Sequence, residues 1–118
     1  MSSVRLPGLC RMNRIVHLEL HTGDLGRARA FYEDVLGWRA EQTRGYWSFG
    51  TGCGVVECDT PEPSWLPYVA VRDVAASTNR ALELGAAVLL EPREGPHGWR
   101  SVVNAPQSGD LALWQPKR

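Results

Sequence analysis

Net charge, lysine, paired cysteines and long apolar runs are all scarce in this chain. Thirteen Lys and Arg balance thirteen Asp and Glu, so no net field draws in nucleic acid or anionic lipid. Lysine occurs once, at Lys117, an arginine bias that suits a GC-rich bacterial genome. No apolar run approaches the ~20 residues of a membrane span. The opening MSSVRLPGLCRMN has no sustained apolar stretch of the signal-peptide kind, so residues 1–12 read as a flexible leader. Cys10, Cys53 and Cys58 are odd in number and form no CxxC, which points to free thiols in a reducing cytoplasm. The glycine stretches TGCG and HTGD meet no phosphate-loop spacing. No Ser-His-Asp or Cys-His nucleophile pattern is legible.

Aromatics, by contrast, are plentiful. Five tryptophans and three tyrosines in 118 residues must be buried or must line a pocket. The length suits one domain.

The chain is written twice. After the strand IVHLEL, Asp24 is an N-cap, Leu25, Ala28, Phe31, Tyr32, Val35 and Leu36 follow at helical spacing, and Gly37 closes the helix. From Tyr68 the order returns: the strand YVAV, Asp73, a helix with Val74, Ala81, Leu82 and Leu84, then Gly85. Asp24 and Asp73 are 49 residues apart, and Gly37 and Gly85 are 48 apart. The strands WRAEQ, GYWSFG and CGVVECD follow the first helix, and AAVLLE, WRSVVNA and DLALWQ the second. Turn residues separate them, notably TGCG, EGPHG and APQSGD. The reading is therefore a single domain over 13–118. Module one spans about 13–60 and module two 68–116, each β-α-β-β-β. A linker, 60–67, lies between them, where Pro61, Pro63 and Pro67 disfavour regular structure. One such unit cannot bury both sheet faces alone.

Strand alternation sorts the side chains. In the first strand Val16, Leu18 and Leu20 take the helix side, leaving His17, Glu19 and His21 on the other. In GVVECD, Val56 and Cys58 take the core side and Val55, Glu57 and Asp59 the polar side. Val69 and Val71 take the core side in YVAV, opposite Tyr68, Ala70 and Arg72. Leu111 and Leu113 do so in DLALW, opposite Asp110, Ala112 and Trp114.

The doubled order, with H-x-x-L-x-x-x-D-L and A-x-x-F-Y-x-x-V-L-G-W in the first half, resembles the vicinal oxygen chelate superfamily, which includes glyoxalase I, the bleomycin-resistance proteins and the extradiol dioxygenases. The resemblance covers about residues 13–115. DLGRARAFYEDVLGW is fairly specific for it, and ALWQP looks like its small single-domain bacterial members. It implies an α+β fold in which the two β-α-β-β-β modules form a cup-shaped mixed sheet with helices outside. It also implies that the cup holds a metal or an organic molecule.

Metal-binding members take one ligand from each of four strands. The resemblance places His17 and Glu57 at the first two positions, Tyr68 at the third, and Ala112 or Leu113 at the fourth. A divalent catalytic ion wants at least three protein donors, and a phenol, losing its proton only near pH ~10, replaces imidazole poorly. Glu19 is ~7 Å along the strand from His17 and His21 ~13 Å, so His17, Glu19 and Glu57 make at best a weak facial site. The expectation is a cup with no metal and no other cofactor.

His17 then serves as a ligand contact, a structural hydrogen-bonder or a general base. Glu57 pairs with it or with Arg72. These two are the candidate catalytic residues. The ligand-binding candidates are His17, Glu19, His21, Trp47, Glu57, Tyr68, Arg72, Trp99 and Trp114, with Tyr46 also near the mouth. Aromatic faces beside one or two charges suit a flat, conjugated molecule. His97 lies in a Gly/Pro hairpin and reads as solvent-exposed. Trp38 reads as helix-to-sheet packing. The leading reading is a cytoplasmic protein that binds a small aromatic or metabolite-like molecule without a metal, a homodimer because edge strands need covering, with no nucleic-acid or membrane partner. The alternatives are a metal-dependent lyase, isomerase or dioxygenase using His17 and Glu57, and a non-catalytic accessory domain.

Overall fold

The computed structural model describes residues 12–43, 46–49 and 52–117. Cys10, the leader and the side chain of Tyr46 lie outside them. The element order is β1 (Ile15–Thr22), α1 (Leu25–Leu36), β2 (Glu41–Thr43), β3 (Tyr46–Ser48), β4 (Cys53–Glu57), β5 (Ser64–Ala70), α2 (Val74–Glu83), β6 (Ala87–Glu94), β7 (Gly98–Ala105) and β8 (Gly109–Pro116). This is β-α-β-β-β twice, an α+β fold, as the doubled sequence predicts. No helix among the described residues is long and apolar enough to cross a membrane.

Two compact units are present. One holds His17–Pro67, and the other Tyr68–Arg118 with the described residues up to Val16. In the first the strand order is β2-β3-β4-β1, with β1 and β4 parallel and the other pairs antiparallel. In the second it is β5-β8-β7-β6, again with one parallel pair, β5 and β8.

The helix ends follow local chemistry. The Asp24 carboxylate accepts from Arg27 N–H at 3.0 Å, and Asp73 accepts from Ala76 N–H at 3.0 Å. Each satisfies one of the unpaired donors of a first turn. Gly37 ends α1 at φ 71°, the left-handed conformation in which glycine has no Cβ penalty.

Beneath α1 the core is aromatic. Leu20, Phe49 and Val55 are buried, with Tyr32, Trp38, Trp47 and Trp65 packed against them. Tyr32 stacks on Trp38 at 5.5 Å and meets Phe49 at 5.4 Å. Beneath α2 the core is aliphatic: Val71, Val74, Ala86, Val103 and Leu113. Thr78 of α2 is tied there to Ser101 of β7 by a 2.7 Å hydrogen bond, with Ser101 fully buried.

The structure corrects several expectations. Of the three apolar residues assigned to the core side of β1, only Leu20 is buried; Val16 and Leu18 are 48% and 37% exposed. The cluster under α1 takes in Leu20 and stops short of Leu18. In β4 the faces are reversed: Val55 is the core residue, paired with Leu20 in the β1–β4 ladder. The prolines do not keep 60–67 irregular throughout, because β5 begins at Ser64. Pro67 precedes Tyr68, the first residue paired with β8, so that ladder does not need its missing N–H.

Candidate functional site

On β1 the H-x-E-x-H row stands on the face away from α1. Glu19 is the buried member, and its carboxylate lies between the two imidazoles. Oε1 is 2.7 Å from His21 Nε2 and Oε2 is 4.0 Å from His17 Nε2. Both histidine side chains are about one-third exposed and that of Glu19 is 11% exposed. A carboxylate only accepts hydrogen bonds, so His21 donates to it through Nε2. Alternation puts the three residues on one face, and the i, i+2 spacing brings neighbours within side-chain reach.

Glu57 is not part of this row. In the β1–β4 register it pairs with Thr22, on the side of Leu20 and Val55, and its Oε2 accepts the N–H of Leu25 at 2.9 Å. The expected pairing of Glu57 with His17 or Arg72 is thereby replaced by a bond that closes the first turn of α1. Module two repeats the arrangement: Gln115 Oε1 accepts from Val74 N–H at 2.8 Å. The ladders extend the equivalence. Glu19 pairs with Gly54 in the first unit, and Tyr68 with Ala112 in the second. The first-unit counterpart of Ala112 is therefore Gly54, and that of Gln115 is Glu57.

A divalent ion of the kind the family resemblance implies thus finds a poor donor set. Gly54 has no side chain, Ala112 has no donor atom, and Glu57 faces the helix. Among the described residues no group of three or more His, Cys, Asp and Glu is placed to hold a metal ion. The weak facial site of His17, Glu19 and Glu57 does not form, since its third member lies on the opposite face of the sheet.

The aromatic candidates divide. Trp47 pairs with Val55 on the α1 side and carries the Arg29 guanidinium 4.7 Å from its ring centre, so it is a core residue. Trp99 packs in the α2 cluster, with Lys117 Nζ 5.8 Å from its ring centre. Arg72 is exposed in the bend between β5 and α2, because β5 ends at Ala70. His97 is exposed, as the hairpin predicts. Tyr68 and Trp114 do share the face of their sheet opposite α2.

One residue there was missed: Arg100, whose Nη1 donates to the Tyr68 hydroxyl at 2.8 Å. The signal was available, since Ser101 and Val103 take the α2 side and leave Arg100 and Val102 for the other. An open cleft of about 320 Å³ lies instead on the α1 side among Leu20, Thr22, Ala28, Phe31, Tyr32 and Pro63. It contains none of the candidate residues.

These features define an α+β protein built of two β-α-β-β-β modules, with the His17, Glu19 and His21 row on one sheet face of the first and Arg100 beside Tyr68 and Trp114 in the second. Comparison with known proteins narrows the class. A family model described as bleomycin resistance protein-like N-terminal matches residues 14–46. The anthracycline biosynthesis protein DauV of Streptomyces sp. (strain C5) is 30% identical over 113 residues, covering 81% of this chain and 39% of that protein. The chain thus spans well under half the length of this relative. A Mn(II)-bound glyoxalase from Novosphingobium aromaticivorans shares the fold at TM-score 0.62 and 18% identity, over 89% of this chain and 39% of the other. A glyoxalase/bleomycin resistance protein/dioxygenase superfamily member from Vibrio splendidus 12B01 does so at TM-score 0.58 and 17% identity, over 84% and 96%. The chain belongs to the vicinal oxygen chelate superfamily, the group of the glyoxalases and bleomycin-resistance proteins.

Proposed function

We propose that this chain binds a small aromatic, metabolite-like molecule and does so with its own side chains, without a resident metal. The observation that carries this reading is the position of Glu57. Its carboxylate closes the first turn of α1, and the ladder position opposite Glu19 is a glycine. Among the described residues the polar row on β1 therefore meets no carboxylate from β4 and serves as a hydrogen-bonding wall: His21 held by the Glu19 carboxylate at 2.7 Å, with His17 Nε2 4.0 Å from its other oxygen. Such a wall suits hydroxyl and carbonyl groups on a flat molecule. The likeness to a protein named for anthracycline biosynthesis supports the choice of aromatic ligands as probes.

The test pairs elemental analysis of purified protein with titration by Ni²⁺, Zn²⁺ and Fe²⁺, and with tryptophan-fluorescence titration using hydroxylated aromatic ketones. Saturable quenching that weakens in His21→Ala and Glu19→Ala, with no stoichiometric metal, is the expected result. Tight one-to-one metal that is lost in His17→Ala would overturn the proposal in favour of metal-dependent chemistry. No quenching by any aromatic would overturn it in favour of an accessory domain.

A further inference from the structure

The sheet face of module two that is turned away from α2 carries two positive charges with no counter-ion among the described residues. Arg93 and Arg100 are directly opposite each other in the β6–β7 ladder, so their side chains leave the sheet on the same side, where directly opposed like charges are destabilising. Arg100 is half-buried. One of its five N–H donors goes to the Tyr68 hydroxyl. Among the described residues neither guanidinium is ion-paired; the arginine and lysine pairs formed are Arg80–Glu83 and Lys117–Glu94.

Among the described residues neither Asp110 nor Glu91 is ion-paired with either guanidinium. Asp110 accepts from Asn104 at 2.8 Å, and Asn104 stands four positions along β7 from Arg100, ~13 Å away. Glu91 is exposed in the irregular stretch between Leu90 and Arg93. A half-buried guanidinium without a carboxylate partner is partly desolvated, so an anion from solution can form a charge-assisted hydrogen bond with it.

Beside this charge lies an aromatic surface. Trp114 is opposite Arg100 in the β7–β8 ladder. A Cβ placed on Gly98 would meet the edge of its indole at 2.9 Å, so the ring lies along the sheet face across that glycine.

We propose that this face is a receptor for a planar aromatic oxyanion, with Arg100 and Arg93 binding the negative oxygens, Trp114 covering the ring and Tyr68 holding the Arg100 fork in position. A planar guanidinium matches a carboxylate or two adjacent aryl oxygens bidentately, and the indole gives a flat ring a stacking partner. The assignment rests on the reading of the chain as an aromatic-binding protein. It adds the charge of the ligand and the residues that select for it.

The test uses an isosteric pair, 2-naphthoate and 2-naphthamide, titrated by tryptophan fluorescence against the full chain at fixed ionic strength. Naphthoate is expected to bind at least about tenfold more tightly, the effect of one charge-assisted hydrogen bond. Arg100→Gln loses that preference and Arg100→Lys keeps part of it. Arg93→Gln, a change at an exposed side chain that leaves the Tyr68 bond intact, reduces it. Arg80→Gln, on α2, leaves it unchanged. Thermal unfolding of each variant establishes that the fold persists. Equal binding of both probes overturns the charge selectivity while leaving the aromatic reading standing. A preference for naphthoate that survives in both Arg100→Gln and Arg93→Gln overturns the assignment to this face. Binding of neither probe overturns both proposals.

Discussion

Glu57 accepts the N–H of Leu25 at 2.9 Å, and this single bond separates two roles that the sequence superposes. A carboxylate near the end of the module's last strand serves either a site on the open face or the end of the helix on the other. Here it serves the helix, where a negative group also meets the positive end of the dipole. Glu57→Ala is therefore expected to lower stability by about 0.5–1 kcal/mol, read by urea unfolding, and to leave aromatic binding unchanged. Glu57→Gln should keep most of the stability, because Gln115 makes the same bond to α2 with an amide oxygen. Loss of ligand binding at unchanged stability would contradict this.

The Glu19 carboxylate orients His21 at 2.7 Å. An acceptor-only partner dictates that the proton of neutral His21 sits on Nε2. Long-range ¹⁵N–¹H correlation spectra should show that tautomer in the unaltered chain and a mixture in Glu19→Ala. A single Nδ1–H tautomer in the unaltered chain would refute the arrangement.

In module two the Thr78–Ser101 bond is buried, with Ser101 fully inaccessible. Thr78→Val leaves the serine hydroxyl without this partner, at an expected cost of about 1–3 kcal/mol. Ser101→Ala should be milder, since Thr78 also donates to the Val74 carbonyl at 2.6 Å. Chemical denaturation of the two variants gives the comparison, and equal losses would refute the asymmetry.

Gly98 faces the carbonyl of Gln115 and the ring of Trp114 with no room for a side chain. Gly98→Ala should destabilise the chain by about 1–3 kcal/mol through overpacking and should alter the near-ultraviolet circular dichroism of Trp114. Gly52→Ala has open space around its Cβ and carries only the backbone strain of φ 83°, so it should leave that spectrum unchanged. The two variants together separate crowding from strain.

Much of this molecule was legible in advance. The α1 and α2 caps, the doubled order of elements, and the core sides of β5 and β8 follow from short-range rules, because a cap, a helical period or a single-phase alternation lies within a few neighbouring residues. Trp47 and Trp99 were harder. An aromatic on a strand serves a core or a pocket equally well, and only the partner across the ladder distinguishes the two. Arg72 stands at the end of YVAV, where strand alternation assigns it a face, whereas the face of Arg100 follows only from the parity of Ser101 and Val103 on β7.

The sequence by itself determined that two β-α-β-β-β modules would form, where their helices begin, and that His17, Glu19 and His21 share one face of β1. What only the tertiary structure decided is which side of β4 that face meets. CGVVECD has valines at both parities, Val55 and Val56, so alternation alone leaves its two faces interchangeable. Pairing with β1 in the Leu20–Val55 register chooses one of them, and a shift of one residue would have exchanged every side chain. That choice sends Glu57 to the N-terminus of α1 and sets Gly54 opposite Glu19.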